Sequence, residues 1–205
     1  MSLIYPSYIP SIANYIIFVQ NKNIVFEMHD NYQKQTLRNR CYIYGANGQL
    51  GLHIPVHYSQ LNRQQTREIR IDNSTNWKSI HWKSIESAYR TSPFFEFYEA
   101  DLKPLFSKKS DELTSFNFEC ISRINECLDF KFNYSISETF KKKYDGKDYR
   151  FLIETKNNNS IKTEAYIQVF ENKHGYLQNL SILDLLFNLG PETLLYIKNH
   201  PAIYN

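Results

Sequence analysis

The spacing of apolar positions changes several times along this chain, and each change marks an element. Leu3-Ile4-Tyr5 reads as a short strand ended by Pro6, and Ile12, Tyr15, Ile16 and Val19 follow with helical spacing behind Pro10-Ser11. Asn21-Lys22-Asn23 stops that helix, and Ile24 to Met28 reads as a buried strand. The order strand, helix, strand predicts a compact βαβ unit with a parallel pair, because parallel strands need a crossover of about this length.

Tyr42-Ile43-Tyr44 and Leu50 to Val56 flank Gly45-Ala46-Asn47-Gly48, whose Asn-Gly step predicts a hairpin. Arg67 to Ile71 adds another predicted strand. Trp77, Ile80, His81, Ser84, Ile85, Ala88 and Tyr89 share a helical face, which predicts a helix over 77–89 capped by Asn76 and broken by Pro93. Helices are also expected over Phe94 to Leu105 and Leu113 to Leu128, the second with Phe116, Cys120, Ile124 and Cys127 on one stripe. Phe130 to Ile136 and Glu164 to Phe170 look strand-like, with loops at Lys141 to Lys147 and at Asn157 to Ser160. Ser181 to Asn188 and Glu192 to Ile197 read as closing helices around Gly190-Pro191. The predicted class is α/β, one domain over 1–205 built on a mixed, partly parallel sheet flanked by helices.

At 205 residues the chain can bury the core of one ordinary domain. Lys and Arg number 24 against 21 Asp and Glu, so a net charge of +3 does not demand nucleic acid or an anionic membrane. No apolar run approaches the roughly 18 residues of a membrane span, and no secretory leader pattern opens the chain. Cys41, Cys120 and Cys127 are odd in number and lack Cys-x-x-Cys spacing, so reduced thiols in the cytoplasm are expected rather than a disulfide framework or zinc site.

Positive charge is local. His29-Asp30-Asn31-Tyr32-Gln33-Lys34-Gln35-Thr36-Leu37-Arg38-Asn39-Arg40-Cys41 follows the predicted strand and offers only Tyr32, Leu37 and Cys41 to a core. Lys34 and Arg38 would share a helical face and Arg38 and Arg40 a strand face, so either geometry gathers like charges that an anion would relieve. Arg63, Arg67 and Arg70 extend the cluster. Arg forks suit phosphate or carboxylate, and Asn31, Gln33 and Gln35 can both donate to and accept from a sugar. A solvated basic loop is the competing reading. In open α/β sheets, ligands favour the carboxyl edge of the strands, where this segment begins.

His29, at a strand end, suits a general base or ligand contact, and His81 is a second candidate that could meet it across a cleft. Each could instead be a hydrogen-bonded structural histidine. His53 and His57 are four apart but lack a carboxylate cluster, so no metal is expected. Cys41 beside Arg40 could be a thiolate, although a small buried residue is the plainer role. Neither a P-loop nor Gly-x-Gly-x-x-Gly is present, and no cofactor is indicated.

The basic segment, with Tyr8-Ile9-Pro10 before it and Trp77, His81 and Tyr89 after it, resembles the WbqC-like family of bacterial proteins. Its form His-Glu-Asn-Tyr-Gln-Lys-Gln-Thr-Tyr-Arg-Asn-Arg-Cys is matched from His29 to Cys41 with Asp30 for Glu and Leu37 for Tyr. Trp77 through Tyr98 and Leu180 through Pro191 carry further similarity, which is weakest over about 130–165. Many members have His-Gln-Pro before Tyr-Leu-Pro, where this chain has Ile4-Tyr5-Pro6-Ser7. The resemblance implies a role in surface-polysaccharide biosynthesis, with acyl or aminoacyl transfer to an amino sugar carried on a nucleotide or lipid. Under that reading His29 and His81 move protons. Tyr8, Asn31, Tyr32, Gln33, Lys34, Gln35, Arg38, Asn39, Arg40, Trp77 and Tyr89 bind an anionic or sugar-nucleotide ligand. The alternative is a non-catalytic module for an anionic glycan or nucleotide. Nucleic-acid binding is not expected, since no such motif accompanies the modest charge.

Overall fold

The computed structural model describes residues 1–59, 63–158 and 161–203. The predicted βαβ unit is present as β1 (Ser2–Ile4), α1 (Ile12–Gln20) and β2 (Asn23–Phe26), with β1 and β2 parallel and Ile4 opposite Phe26. Ser11 caps α1: its Oγ accepts the Asn14 N–H, and Asn14 Oδ1 accepts the Ser11 N–H.

The hairpin is β3 (Arg40–Gly45) and β4 (Gly48–His53), turning through Ala46 and Asn47. Gly48 has φ +99°, which explains the glycine there. A second antiparallel pair joins β5 (Val56–His57) to β6 (Arg70–Ile71). The strand expected from Arg67 is therefore shorter, because Thr66–Glu68 forms a 3₁₀ turn in which Glu68 accepts the Gln65 N–H. Helix α2 spans Trp77–Tyr89 as predicted, although the Asn76 side chain makes no capping bond. Helix α3 (Phe95–Leu102) passes into a 3₁₀ turn at Lys103–Phe106, and α4 covers Leu113–Cys127.

β7 (Asn133–Ile136) and β8 (Lys147–Asp148) complete a four-stranded sheet in the order β7-β2-β1-β8, parallel throughout. Parallel and antiparallel pairings are thus segregated into separate sheets. A 3₁₀ turn at Arg150–Ile153 leads to the short helix α5 (Thr155–Asn158), where the sequence suggested a loop whose remainder, Asn159 and Ser160, lies outside the described residues.

Residues 164–170 do not pair as a strand. Tyr166 and Gln168 are buried in alternation, but main-chain groups here bond to side chains: Gln178 Oε1 accepts the Thr163 N–H and Glu171 Oε2 the Gln168 N–H. Period-two burial without a neighbouring strand gave a strand signal and no strand. Helices α6 (Glu171–His174), α7 (Ile182–Leu189) and α8 (Thr193–Asn199) close the fold. Among the described residues, no helix is long and apolar enough to cross a membrane.

One sheet face packs on helices. Phe26 meets Phe18 of α1 and Phe118 of α4 at ring separations of 5.7 and 5.1 Å. On the other face, Leu3 and Val25 floor a pocket beneath the segment from Ser137 to Tyr144. The C-terminal segment returns to the start of α1, where Leu180 O accepts the Ile12 N–H and Asn179 Oδ1 the Ala13 N–H, both at 2.9 Å. It thereby satisfies amide donors that a helix start leaves open.

Candidate functional site

The carboxyl ends of the four parallel strands release the chain into one cluster of ionisable groups. β1 delivers Tyr5, β2 delivers Glu27, β7 delivers Ser137 and β8 delivers Asp148 and Arg150. Glu27 is 1% exposed, yet it lines a pocket of about 290 Å³ with Ser137 and Lys141. Its Oε1 accepts the Ser137 hydroxyl at 3.0 Å and the His29 N–H at 2.8 Å. The carboxylate is therefore held in one orientation by β7 and by its own strand end.

A second pocket of about 270 Å³ is lined by Tyr5, Gln33, Arg38, Asp148, Arg150 and Glu154. Arg150 grips Asp148 through Nε and Nη2 and donates to the Lys141 and Lys142 carbonyls at 2.7 and 3.1 Å. It thus ties the wall of the first pocket to the edge of the second. Burial would raise the Asp148 carboxyl, but hydrogen bonds from Arg150 outweigh it and the net shift is downward.

The basic segment folds inward more than its composition suggested. Arg38 is 1% exposed, ion-paired to Asp30, and its guanidinium lies 4.0 Å over the Tyr5 ring. Thr66 Oγ1 donates to the other Asp30 oxygen at 2.6 Å, and Arg38 Nη1 donates to Thr36 Oγ1 at 3.1 Å. The anion that relieves Arg38 is thus Asp30, eight residues earlier in the same segment. Burial, followed by the Asp30 charge, pushes the Tyr5 hydroxyl well above its ordinary range. Arg38 Nε and Arg40 Nε are buried with no hydrogen-bond partner among the described residues.

The other candidates divide by burial. Gln33, Lys34, Gln35 and Asn31 are exposed; Lys34 lies 5.0 Å over the Tyr58 ring, and Asn31 bridges Gln65. Tyr32 is buried against Tyr58, and burial takes its hydroxyl up to about 12. Asn39 is buried and donates to Ile54 O at 2.8 Å. His29 is half-buried beside Glu27. Arg63, Arg67 and Arg70 are exposed, with Arg70 paired to Glu112.

His81, Tyr8, Trp77 and Tyr89 lie in the core instead. Tyr8 Oη and His81 Nδ1 are 2.9 Å apart, and Trp77 meets the His81 ring edge-on at 5.1 Å. Burial takes His81 down to about 4, so it is a neutral imidazole bonded to Tyr8 and to the His53 backbone. Its nearest polar side-chain partner is Tyr8 rather than His29. Tyr89 is fully buried and bonded to Asp184. Cys41 is buried, and burial raises its thiol well above the usual value, as a small core residue requires. Among the described residues no group of three His, Cys, Asp or Glu side chains could hold a metal.

The carboxyl edge thus carries one pocket with Glu27 and Lys141 and a second with Tyr5, Arg38 and Arg150, and the main-chain N–H of His29 is bonded to Glu27. Residues 5–158, which contain all of them, match the WbqC-like protein family. The chain belongs to that family. It is also similar to the uncharacterized protein Rv1507c of Mycobacterium tuberculosis, at 25% identity over 228 residues and 97% of each chain. No solved structure matches it. In this WbqC-like chain the pattern from His29 to Cys41 contributes Gln33 and Arg38 to the wall of the second pocket. Glu27, two residues before it, was not singled out in the sequence. The available signal was its position at the carboxyl end of a buried parallel strand.

Proposed function

We propose that this protein is a bacterial enzyme of surface-polysaccharide biosynthesis that works in the cytoplasm. It transfers an acyl or aminoacyl group from an activated donor to an amino sugar carried on a nucleotide or lipid phosphate. The observation that carries this reading is a held carboxylate, Glu27, and a cation, Lys141, in one pocket at the carboxyl edge of the parallel sheet.

The sugar amine attacks the donor carbonyl carbon, a C–N bond forms, and the bond to the donor's leaving group breaks. Glu27 takes the amine proton, and His29, joined to Glu27 through its main-chain N–H, is the residue proposed to carry that proton onward by its imidazole. Lys141 and Lys34 neutralise phosphate, and Gln33 and Tyr5 contact sugar hydroxyls. Arg38, anchored by Asp30, positions Tyr5. An activated donor makes a protein nucleophile unnecessary, in keeping with the buried Cys41.

The test incubates the protein with nucleotide-linked amino sugars and with acyl-coenzyme A or aminoacyl donors, reading the mass of the sugar product. Glu27→Gln should lower turnover by about 10²–10⁴-fold, the usual contribution of a general base, while leaving nucleotide-sugar affinity within a few-fold. His29→Ala should lower it too. Sugar-nucleotide binding without transfer from any donor would instead make the protein a non-catalytic module for an anionic glycan or nucleotide.

A further inference from the structure

β7 is the edge of the parallel sheet on the side away from β1, and all four of its residues are exposed. Phe26 lies opposite Ile136, and the Ser137 N–H donates to Phe26 O at 2.9 Å. Main-chain groups alternate sides along a strand, so the N–H and C=O of Ser135 face β2 while those of Tyr134 and Ile136 face outward. Among the described residues nothing bonds to these outward groups. Tyr134 is 54% and Ile136 50% exposed, and they lie on one face of the strand.

Natural edge strands carry a charge, a proline or a bulge against pairing with another chain, and Asn-Tyr-Ser-Ile carries none of these. We infer that β7 pairs antiparallel with β7 of a second copy of this chain, joining two four-stranded sheets into one of eight strands. The register follows from the outward groups. A two-fold axis through Ser135 places Tyr134 opposite Ile136 of the other copy, and Ile136 opposite its Tyr134. Both are hydrogen-bonded pairs, so four main-chain bonds close. Each is also an aromatic to β-branched cross-strand contact.

The interface is isologous, as a closed dimer requires. Lys131 precedes β7 and Glu138 follows it, so antiparallel order brings Lys131 of each copy toward Glu138 of the other. A groove of about 570 Å³ beside β7, walled by Phe118, Phe130 and Phe132, offers apolar surface next to the joint. This inference rests on the edge strand and not on the chemistry proposed for the carboxyl edge, although Ser135 and Ile136 also line the Glu27 pocket.

Light scattering on the eluting protein should give twice the 24.4 kDa chain mass at tens of micromolar. Ile136→Pro removes an outward N–H and no bond to β2, and Tyr134→Lys sets a charge on the joint. Each should run as a folded monomer by circular dichroism. In the proposed register the two Ser135 Cα atoms form a non-hydrogen-bonded pair about 4.5 Å apart, within disulfide reach. Ser135→Cys should therefore cross-link under mild oxidation where wild type does not. A wild-type mass of one chain, a dimer that survives both edge variants, or a dimer that Ser135→Cys fails to cross-link would each overturn the assignment.

Discussion

The Tyr89 hydroxyl donates to Asp184 Oδ1 at 2.8 Å and accepts the Tyr44 N–H at 3.1 Å, so one phenol joins α2, α7 and β3. Asp184 is 0% exposed, and its other oxygen is bonded by Tyr166 and by Gln168 at 3.0 Å. Three neutral donors hold a buried carboxylate. Through it, the segment beyond residue 158 is fastened to the family-matching part of the chain.

Tyr89→Phe should therefore destabilise the fold by about 1–3 kcal/mol, the cost of leaving a buried acceptor and a buried N–H without partners. Chemical denaturation at neutral pH measures it. A loss below about half a kcal/mol would mean that the cluster does not bind the two parts together.

Burial raises the Asp184 carboxyl to about 6, ahead of the opposing hydrogen bonds, and burial lowers His81 to about 4. The signs oppose. Asp184 binds a proton more readily folded than unfolded, so its term stabilises below the unfolded value of 3.8 and is lost as pH rises through about 6. His81 binds one less readily, so its term stabilises above 6.5 and is lost as pH falls through about 4. Each term is on the order of 3 kcal/mol, and the two nearly cancel between pH 4 and 6. Against wild type, Asp184→Asn should lose stability on acidification across that range, and His81→Gln should gain it. Denaturation midpoints at closely spaced pH values decide; parallel curves for all three proteins would refute both assignments.

Arg38→Met strands Asp30 as an uncompensated buried charge and should cost about 3–5 kcal/mol. Asp30→Asn combined with Arg38→Met should recover much of that loss, because neither charge then remains. Equal melting temperatures for the single and double variants would show that the pair is not coupled.

Nucleoside diphosphates should raise the melting temperature of wild type, by about 2.7 kcal/mol of stabilisation at a ligand concentration of 100 Kd. Lys141→Ala should abolish most of that shift without changing the ligand-free melting temperature, since Lys141 is exposed. An undiminished shift would place the anion site elsewhere.

Local spacing made the helical and hairpin elements legible. The face from Trp77 to Tyr89, the βαβ order of the first 28 residues and the turn at Ala46-Asn47 each follow from contacts within a few residues. The pattern from His29 to Cys41 likewise declared the family, and the fold sets Gln33 and Arg38 from it in the lining of a pocket. Residues 164–170 mark the limit of such signals, since alternate burial looks alike with or without a partner strand.

What the sequence by itself determined was the α/β class, the placement of the longer helices and of the hairpin, and the family, all of which depend on short-range periodicity or on a contiguous pattern. Only the tertiary structure decided which polar groups are interior. Glu27 is held by Ser137, which lies 110 residues further on. Asp30, the partner of Arg38, is bonded by Thr66, 36 residues further on, Arg38 roofs Tyr5, and His81 is emptied of charge among Tyr8 and Trp77. The physical reason is the cost of removing an ionisable group from water. That cost depends on which distant side chains surround the group, and no local window of the chain contains them.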